Sequence, residues 1–359
     1  MALASLLALA SGCADERQWP GPVIQRAGPS GEPRAVRLGL AALPGERTQA
    51  SYLSVVATAA QYADTVLIQR PPPWADFLPG AKLSAATEAT TRLETDLLNQ
   101  YKPLKTFFAI DPLDPAVSRT RIAEPPPGVD AFAGFGDPGL RAAFVNYAAY
   151  VAKAYRPEYL ALGVEVNMLY ERDRPQFEAF VSLYNEAYAV AKAASPTTKV
   201  FPTFQLDDLE GKLGDPHPAH WEVLRAFDGR MDVLAVTTYP YLAGLRSASE
   251  LRTGFWAALV DQFDGEVIIA GTAASSAPVE GEASTGNEDE QDAYLGLALA
   301  DAVRAGITLV VWSVPFDPVY ARSGSLLPFR DAGLRRSDGA NKLAWTTWEA
   351  WALRPLKLK

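Results

Sequence analysis

The sequence predicts an α/β protein, a single (β/α)8 TIM barrel, on three observations. The chain has 359 residues, which is long for an average domain but normal for one α/β barrel of roughly 250 residues or more. Hydrophobic residues make up 48% of the chain and charged residues 21%, so a large core can be buried. Short apolar runs alternate with longer helical patterns, which is typical of a parallel sheet whose strands are joined by helices.

Eight apolar runs are the candidate strands of this barrel. Each run is almost continuously apolar, as expected for parallel strands covered on both faces. In chain order they are Val36–Leu43, Thr65–Gln69, Lys105–Ile110, Tyr159–Val164, Lys199–Phe204, Val233–Thr237, Glu266–Ala270 and Leu309–Trp312. Helical patterns lie between them, among them Leu140–Ala154, Arg174–Ala194 and Asp289–Ala305. The last of these ends at Gly306, a common residue just after a helix.

A doubly wound open sheet is the alternative arrangement of alternating strands and helices. That fold usually carries a glycine-rich phosphate-binding turn after an early strand, and the region around Gly39 lacks this fingerprint. We therefore predict one closed barrel, formed by residues 35–359.

The N-terminus has the pattern of an export signal. Leu3–Ala10 is an apolar run too short to span a bilayer, and the small residues Ser11 and Gly12 precede Cys13. Small residues directly before a cysteine resemble the lipobox of bacterial lipoproteins, in which the cysteine becomes the lipidated N-terminus. The resemblance implies a signal peptide at 1–13 and an exported protein of the bacterial cell envelope, anchored to a membrane through a lipid on Cys13. The alternative is a frayed apolar start with a chance cysteine.

Residues 14–34 are rich in proline, glycine and charged residues, and we predict a flexible tether there. The net charge of −9 and the lack of a basic stripe argue against nucleic acid as a partner. Cys13 is the only cysteine, and the only histidines, His217 and His220, form no Cys/His zinc pattern. No metal and no cofactor are therefore predicted, and a monomer is expected for such a barrel.

The chemistry of a (β/α)8 barrel lies at the C-terminal ends of its strands. At those positions this chain carries carboxylates, aromatic rings and hydroxyls, the mixture that binds a sugar. The candidate contacts to a polysaccharide or oligosaccharide are Trp74, Asp111, Asn167, Asp207, Tyr239, Trp312 and Asp317. Structural roles are the alternatives, because an Asp after a strand often caps the next helix and a Trp can fill the barrel.

Glu165 follows directly on the fourth apolar run. A charged residue at the end of a buried strand is costly unless it is paired or exposed in a site. We therefore predict a role in the site for Glu165, with a surface ion pair as the alternative.

These motifs together resemble the clan-A glycoside hydrolases, and within them the endo-β-1,4-galactanase (arabinogalactanase) group. The segment Tyr159–Glu165 is similar to the fourth-strand segment that ends in Gly-Asn-Glu, with Val164 at the asparagine and Glu165 at the general acid/base. Tyr239 resembles the sixth-strand tyrosine that hydrogen-bonds the nucleophile. Trp312 resembles the eighth-strand tryptophan that forms the floor of the sugar subsite.

The seventh strand departs from the family at its most important position. Val267–Ser275 is similar to the family's Val-Ile-x-x-Glu-Thr-Gly-Trp-Ser, and Gly271 stands at the nucleophilic glutamate. Glycine cannot form a glycosyl-enzyme bond, and a retaining hydrolase needs two carboxyl groups about 5–5.5 Å apart. A second carboxylate would have to come from elsewhere, and the candidates by position are Asp207, Asp317, Glu280 and Glu282.

Three hypotheses follow for the function. The first is a glycoside hydrolase that cleaves O-glycosyl bonds of a polysaccharide, with Glu165 as general acid/base and an altered mechanism at Gly271. The second is a catalytically inactive, lipid-anchored protein that binds glycans. The third is an envelope scaffold that uses the fold for other contacts, because barrels serve many functions.

Overall fold

The computed structural model describes residues 28–130, 132–214, 216–251, 253–279 and 286–358. Within these ranges nine strands form one sheet whose recorded pairings are parallel. In chain order they are β1 (Arg37–Ala41), β2 (Thr65–Arg70), β3 (Lys105–Ile110), β4 (Tyr159–Leu162), β5 (Lys199–Phe201), β6 (Thr203–Gln205), β7 (Leu234–Thr238), β8 (Val267–Thr272) and β9 (Leu309–Trp312).

The two ends of the strand order both come from the fifth predicted strand. The order is β5-β4-β3-β2-β1-β9-β8-β7-β6, so its two ends are β5 and β6, which flank Pro202 in the chain. Proline has no N–H to donate to a ladder, and it divides the predicted strand into two short ones. One half pairs with β4 and the other with β7. The predicted (β/α)8 barrel is confirmed.

Ten α-helices lie in the described ranges, and several begin at a capping side chain. Thr48, Ser84, Asp137, Asp173 and Asn287 each accept a hydrogen bond from a backbone N–H of the first turn. The helices are α1 (Gln49–Tyr62), α2 (Trp74–Phe77), α3 (Ala85–Gln100), α4 (Pro138–Tyr155), α5 (Asn167–Arg172), α6 (Arg174–Ala194), α7 (Leu206–Leu209), α8 (Ala257–Val260), α9 (Glu288–Ala305) and α10 (Leu343–Ala352). None of the helices in these ranges is long and apolar enough to cross a membrane.

Two predicted strand ends next to the candidate site differ from the observed ones by two residues each, as does the end of β1, which is Ala41 instead of Leu43. β4 ends two residues earlier than predicted, because Gly163 takes a φ of 114°, outside the extended region. β8 continues two residues further than predicted and includes Gly271. β3, β9 and α6 have the predicted bounds, and Gly306 ends α9 in the left-handed conformation with a φ of 81°.

By internal contacts the described residues form two compact units. The first consists of Ile68–Gln205 and His220–Ala235, and the second of residues 28–67, Leu206–Ala219 and residues 236–358. The core of the first unit is aromatic: the Phe107 ring centroid lies 5.6 Å from that of Phe201. In the second unit Trp345 packs edge-on against Tyr62, with their centroids 4.9 Å apart.

Arg34, at the end of the predicted tether, is a buried residue of the second unit. It forms an isolated parallel bridge with Leu356 near the other end of the chain. The signal peptide with Cys13, and the tether up to residue 27, lie outside the described residues, so these predictions stay predictions.

Candidate functional site

In the first unit, the chain bends directly after β4, and Glu165 lies in this bend. A Cβ at Gly163 would lie 2.5 Å from the Phe180 ring, so this turn accepts only glycine. Glu165 itself has a φ of 53° in the left-handed region, and its N–H donates to Thr203 Oγ1 at 3.0 Å. Val164, at the family's asparagine position, is buried and apolar. The turn therefore fixes the backbone of Glu165 by a hydrogen bond to β6.

Arg119 joins the two candidate carboxylates of this unit. Its Nη1 donates to Asp111 Oδ1 at 2.7 Å, and its Nε donates to Glu165 Oε2. Gln69 Nε2 donates to the other oxygen of Asp111 at 3.0 Å. Arg119 and Asp111 are each 6% exposed. The result is a buried Asp–Arg–Glu cluster at the ends of β3 and β4.

Burial and the ion pairs act in opposite directions on this cluster. Burial raises the pKa of Asp111, and the Arg119 guanidinium opposes this without cancelling it. Burial alone would lower the pKa of Arg119, but Asp111 and Glu165 outweigh it, so the pKa of Arg119 is raised. Arg119 therefore stays charged, and Asp111 is a carboxyl group that takes up a proton more readily than one in water.

Two residues of the cluster, and the residue that precedes Arg119, have a backbone conformation that L-residues rarely adopt. Ser118, Arg119 and Glu165 have φ values of 53°, 58° and 53°. Such conformations cost on the order of 1 kcal/mol each and persist where the surrounding structure enforces them, commonly at functional sites. Their meeting at one buried ion cluster supports a functional role for this part of the first unit.

Two further candidates of the first unit have structural contacts. Asn167 is fully buried, and its amide group pairs with the backbone of Gln205, with Oδ1 accepting at 2.7 Å and Nδ2 donating at 3.1 Å. Trp74 is 1% exposed, and its Nε1 donates to Ala123 O at 2.8 Å. Neither side chain presents a free face for a sugar in this conformation, so neither enters the proposal below.

In the second unit, hydroxyl groups surround Gly271. A Cβ at this position would lie 2.8 Å from Ser313 Oγ and 3.1 Å from Tyr239 Oη. These two hydroxyls are hydrogen-bonded to each other at 3.0 Å. A side chain at 271 would therefore point at Tyr239, as the family resemblance implies for the nucleophile. In this chain a Ser–Tyr pair lies beside the position instead.

Asp207 binds the backbone of Tyr239. Its Oδ2 accepts from the Tyr239 N–H at 2.9 Å, and the Thr238 hydroxyl donates to the same carboxylate at 3.1 Å. Asp207 is 3% exposed. The contacts assign this carboxylate to holding the end of β7.

The remaining candidates of the second unit also hold structure together. Trp312 is fully buried, and its Nε1 donates to Ala332 O at 3.1 Å. Asp317 Oδ1 accepts from Lys342 Nζ at 2.6 Å and from the Gly333 N–H at 2.9 Å. Burial raises the pKa of Asp317 and lowers that of Lys342, and each opposes the shift of the other. Glu280 and Glu282 lie outside the described residues.

The two histidines lie in different units and have acidic neighbours there. His217 Nε2 lies 3.8 Å from Asp208 Oδ1 in the second unit, and His220 Nδ1 lies 3.4 Å from Glu171 Oε1 in the first. The expectation of no metal stays a prediction.

Arg119 and Ser313 are the site residues that sequence reasoning missed. A signal for Arg119 was present, because two acids at neighbouring buried strand ends require a nearby cation. A signal for Ser313 was present as well, because it follows the eighth predicted strand directly and Gly271 follows the seventh, so both lie at neighbouring strand ends.

Comparison with known proteins finds likeness in structure but none in sequence. No family model matches the chain, and no curated protein matches it. The exo-β-1,4-mannosidase from Opitutaceae bacterium strain TAV5 has a TM-score of 0.67 at 16% identity over 92% of this chain, which spans 62% of that chain's length. A GH5_18 protein from Bifidobacterium longum subsp. longum has a TM-score of 0.65 at 15% identity, covering 90% of this chain and 81% of that chain.

The GH53 catalytic domain of Ignisphaera aggregans has a TM-score of 0.56 at 13% identity, covering 91% of this chain and 99% of that domain. These neighbours are clan-A glycoside hydrolases with a TIM-type barrel. At such identities the likeness concerns the fold, and function has to be argued from the site.

Proposed function

We propose that this protein is a barrel of glycoside hydrolase type that binds a polysaccharide or oligosaccharide without cleaving it by the retaining mechanism. One observation carries the proposal: position 271, which the family resemblance assigns to the nucleophile, has no carboxylate and is flanked by the hydrogen-bonded hydroxyls of Ser313 and Tyr239. Without a carboxylate there, no glycosyl-enzyme can form at this position.

The contacts of Glu165 support the same proposal. A general acid has to carry a proton and deliver it to the leaving oxygen of the substrate. Glu165 Oε2 instead accepts a hydrogen bond from the Arg119 guanidinium, so this oxygen is already engaged by the protein itself. An ion-paired carboxylate remains a good acceptor for sugar hydroxyls, which suits binding better than proton transfer.

A hydrolase is the second candidate, and the Asp–Arg–Glu cluster favours it specifically. Glu165 and Asp111 are two carboxyl groups held by one cation, and burial raises the pKa of Asp111, which suits this residue to carry a proton. An acid and a base are what an inverting hydrolase requires. In this case Glu165 would be general acid/base, as the resemblance implies, with its partner in the first unit.

The experiment measures binding and reducing-end release on the same samples. The probes are β-1,4-mannan, β-1,4-galactan and β-1,3-glucan, and the proteins are the natural chain, Glu165→Gln, Gly271→Glu, and Gly271→Glu combined with Ser313→Ala. The Ser313→Ala change removes the oxygen that a side chain at 271 would meet. Thermal unfolding checks that each variant is folded.

We expect the natural chain to bind at least one glycan and release no reducing ends. Release by the natural chain that Glu165→Gln abolishes would replace binding with hydrolysis as the function. Release only by the Gly271→Glu double variant would identify a retaining site that lacks one carboxylate. If none of the four proteins binds any of the three glycans or releases reducing ends from them, the carbohydrate proposal is wrong.

We further propose that the protein is exported and anchored to the bacterial envelope through a lipid on Cys13. The proposal is supported by the apolar run and small residues before this cysteine. Labelling with a clickable palmitate analogue in a bacterial host tests it. Label and membrane association in the natural chain, both lost in Cys13→Ala, are expected; an unlabelled natural chain would contradict the anchor.

A further inference from the structure

A cavity of about 220 Å³ lies in the first unit beside the loop that carries Arg119. The two arms of this loop, which follows β3, pair with each other. The Asp114 N–H donates to Arg121 O at 2.9 Å, and Leu113 and Ile122 form an antiparallel bridge. Leu113 and Ile122 line the cavity, and so do Thr120 and Arg121. One short excursion of the chain therefore supplies both the cation of the buried cluster and one wall of the cavity.

Phe132 lines this cavity with an exposed aromatic ring that is held by two contacts. Phe132 is 70% exposed, the largest value among the exposed large hydrophobic residues of the described chain. The Arg121 guanidinium lies over its ring, 4.4 Å from the centroid. The Phe132 N–H donates to Asp130 Oδ1 at 2.9 Å. A large apolar side chain kept in water at such a place indicates a contact surface for a ligand.

Two other residues that line the cavity, Asp173 and Gln176, carry polar groups that are held by hydrogen bonds. Asp173 lines the cavity and caps α6, where its Oδ1 accepts from the Gln176 N–H at 3.2 Å. Gln176 Oε1 accepts from the Phe135 N–H at 2.8 Å, so the amide nitrogen of Gln176 is its remaining donor group. A Cβ at Gly134 would lie 2.1 Å from Gln176 Oε1, so glycine lets this amide pack against the backbone.

We infer that this cavity is a subsite for one neutral sugar ring, resting on the glycan binding proposed above. An exposed aromatic face fits the apolar face of a pyranose, while carboxylate, guanidinium and amide groups fit its hydroxyls. The charges of Arg121 and Asp173 cancel, which favours a neutral ring over an acidic or phosphorylated one. The cavity volume of about 220 Å³ is below the roughly 300–1,000 Å³ of pockets for drug-sized ligands, which restricts the site to a small group such as one ring.

Binding of the three glycans named above, measured by affinity electrophoresis, tests the subsite. The variants are Phe132→Ala and Asp173→Asn, because asparagine also caps a helix and leaves the start of α6 intact. Phe132→Tyr retains the ring and is the matched control, and Leu343→Ala removes an exposed apolar side chain from the second unit. Thermal unfolding of each variant is measured in parallel.

We expect Phe132→Ala to weaken binding by about three- to tenfold, the range of one aromatic contact, and Asp173→Asn to weaken it as well. Phe132→Tyr and Leu343→Ala should bind like the natural chain. If the natural chain binds and both Phe132→Ala and Asp173→Asn bind equally well, the subsite is wrong while the proposed function stands. If the natural chain binds none of the three probes, subsite and proposed function fall together.

Discussion

Arg119 holds two carboxylates that reach it from the ends of neighbouring strands. Two of its three guanidinium nitrogen atoms, Nη1 and Nε, contact Asp111 and Glu165, and all three residues are largely buried. A guanidinium is suited to this because it presents several donors in a fixed plane and keeps its charge when buried. The contacts of these two acidic residues therefore define an ion cluster, and they do not by themselves define a catalytic pair.

Gly271 is the residue whose substitution is easiest to interpret. In Gly271→Ala the new Cβ would lie 2.8 Å from Ser313 Oγ, so Ser313 has to rotate and its hydrogen bond with Tyr239 is weakened. We expect a loss of about 1–3 kcal/mol in the free energy of unfolding, measured by urea denaturation. Most of this cost should disappear when the substitution is made in a Ser313→Ala background.

Gly296→Ala is the matched control for this prediction. Gly296 lies inside α9, and a Cβ there would meet nothing within 4 Å. Alanine should stabilise the protein by about 0.5–1 kcal/mol, since glycine in a helix has the larger conformational entropy to lose. An equal cost of Gly271→Ala with and without Ser313 would show that crowding by Ser313 is not its cause.

The carboxylate of Asp232 accepts hydrogen bonds from both helix α6 and strand β5. Asp232 accepts from Lys192 Nζ at 2.9 Å, from the Tyr188 hydroxyl at 2.8 Å and from the Val200 N–H at 2.9 Å. Burial raises the pKa of Asp232, but the donors of Lys192, Val200 and Tyr188 outweigh it, so this pKa lies below its usual 3.8. Burial, and after it the same carboxylate, raises the pKa of Tyr188 to about 12.

Asp232→Asn should change how stability depends on pH. Because the folded pKa is lowered, the unfolded state binds more protons in the window between the two pKa values. The contribution of Asp232 to the free energy of unfolding is therefore present above pH 3.8 and is lost as the pH falls through the lower folded pKa. We expect Tm of the natural chain to exceed that of the variant at about pH 6, and the gap to narrow towards about pH 2.5.

The exposed Asp264 offers the control, because Asp264→Asn removes one negative charge without touching α6 or β5. A gap between the natural chain and Asp232→Asn that stays constant over this pH range would contradict the assignment.

At the scale of the whole molecule, the two ends of the described chain meet within the second unit. The Arg34 guanidinium binds both oxygens of Asp64, at 2.7 and 2.9 Å, and its Nε donates to Trp351 O at 3.0 Å. Asp64 Oδ2 also accepts from the Leu38 N–H at 2.8 Å, at the second residue of β1. This buried pair ties the first strand to the last helix, α10.

Arg34→Met should destabilise the whole second unit. It leaves Asp64 buried without its cation, which costs about 3–5 kcal/mol in the free energy of unfolding, measured by urea denaturation. Replacing both partners, as in Arg34→Met with Asp64→Leu, should recover much of this loss, since no buried charge is then uncompensated. Arg322→Met, at an exposed arginine, should stay within about 0.5 kcal/mol. A similarly small effect for Arg34→Met would show that the pair does not secure the chain ends.

The fold was predictable because its signal is local. A strand buried on both faces needs a run of apolar residues, and the runs at β3 and β9 had the observed bounds. Local signals failed where one residue acts on the backbone: Pro202 divides a strand that reads as continuous, and Gly163 ends β4 early. Both residues are visible in the sequence, but their effect depends on the strands that pair on either side.

The candidate site was predictable only in part. Strand ends indicated that Glu165 and Asp111 lie on one rim, since the carboxyl ends of parallel strands lie on one edge of a sheet, but Asp111 was not among the candidates for a second carboxylate. The sequence could not show that Trp74 and Trp312 are packed inside, nor that Asp317 is bonded to Lys342. The sequence gives the polarity of each side chain, but it does not give the partner with which that side chain forms a hydrogen bond.

The sequence by itself determined the (β/α)8 barrel, the position of Glu165 at the end of a buried strand, and the lack of a carboxylate at 271. Each of these depends on residue types and their spacing along a short stretch of chain. The tertiary structure decided that Arg119, 46 residues from Glu165, occupies its carboxylate, and that Ser313, 74 residues from Tyr239, bonds its hydroxyl beside Gly271. The physical reason is that hydrogen bonds and ion pairs act over a few ångströms in space, and only folding brings such distant residues within that range.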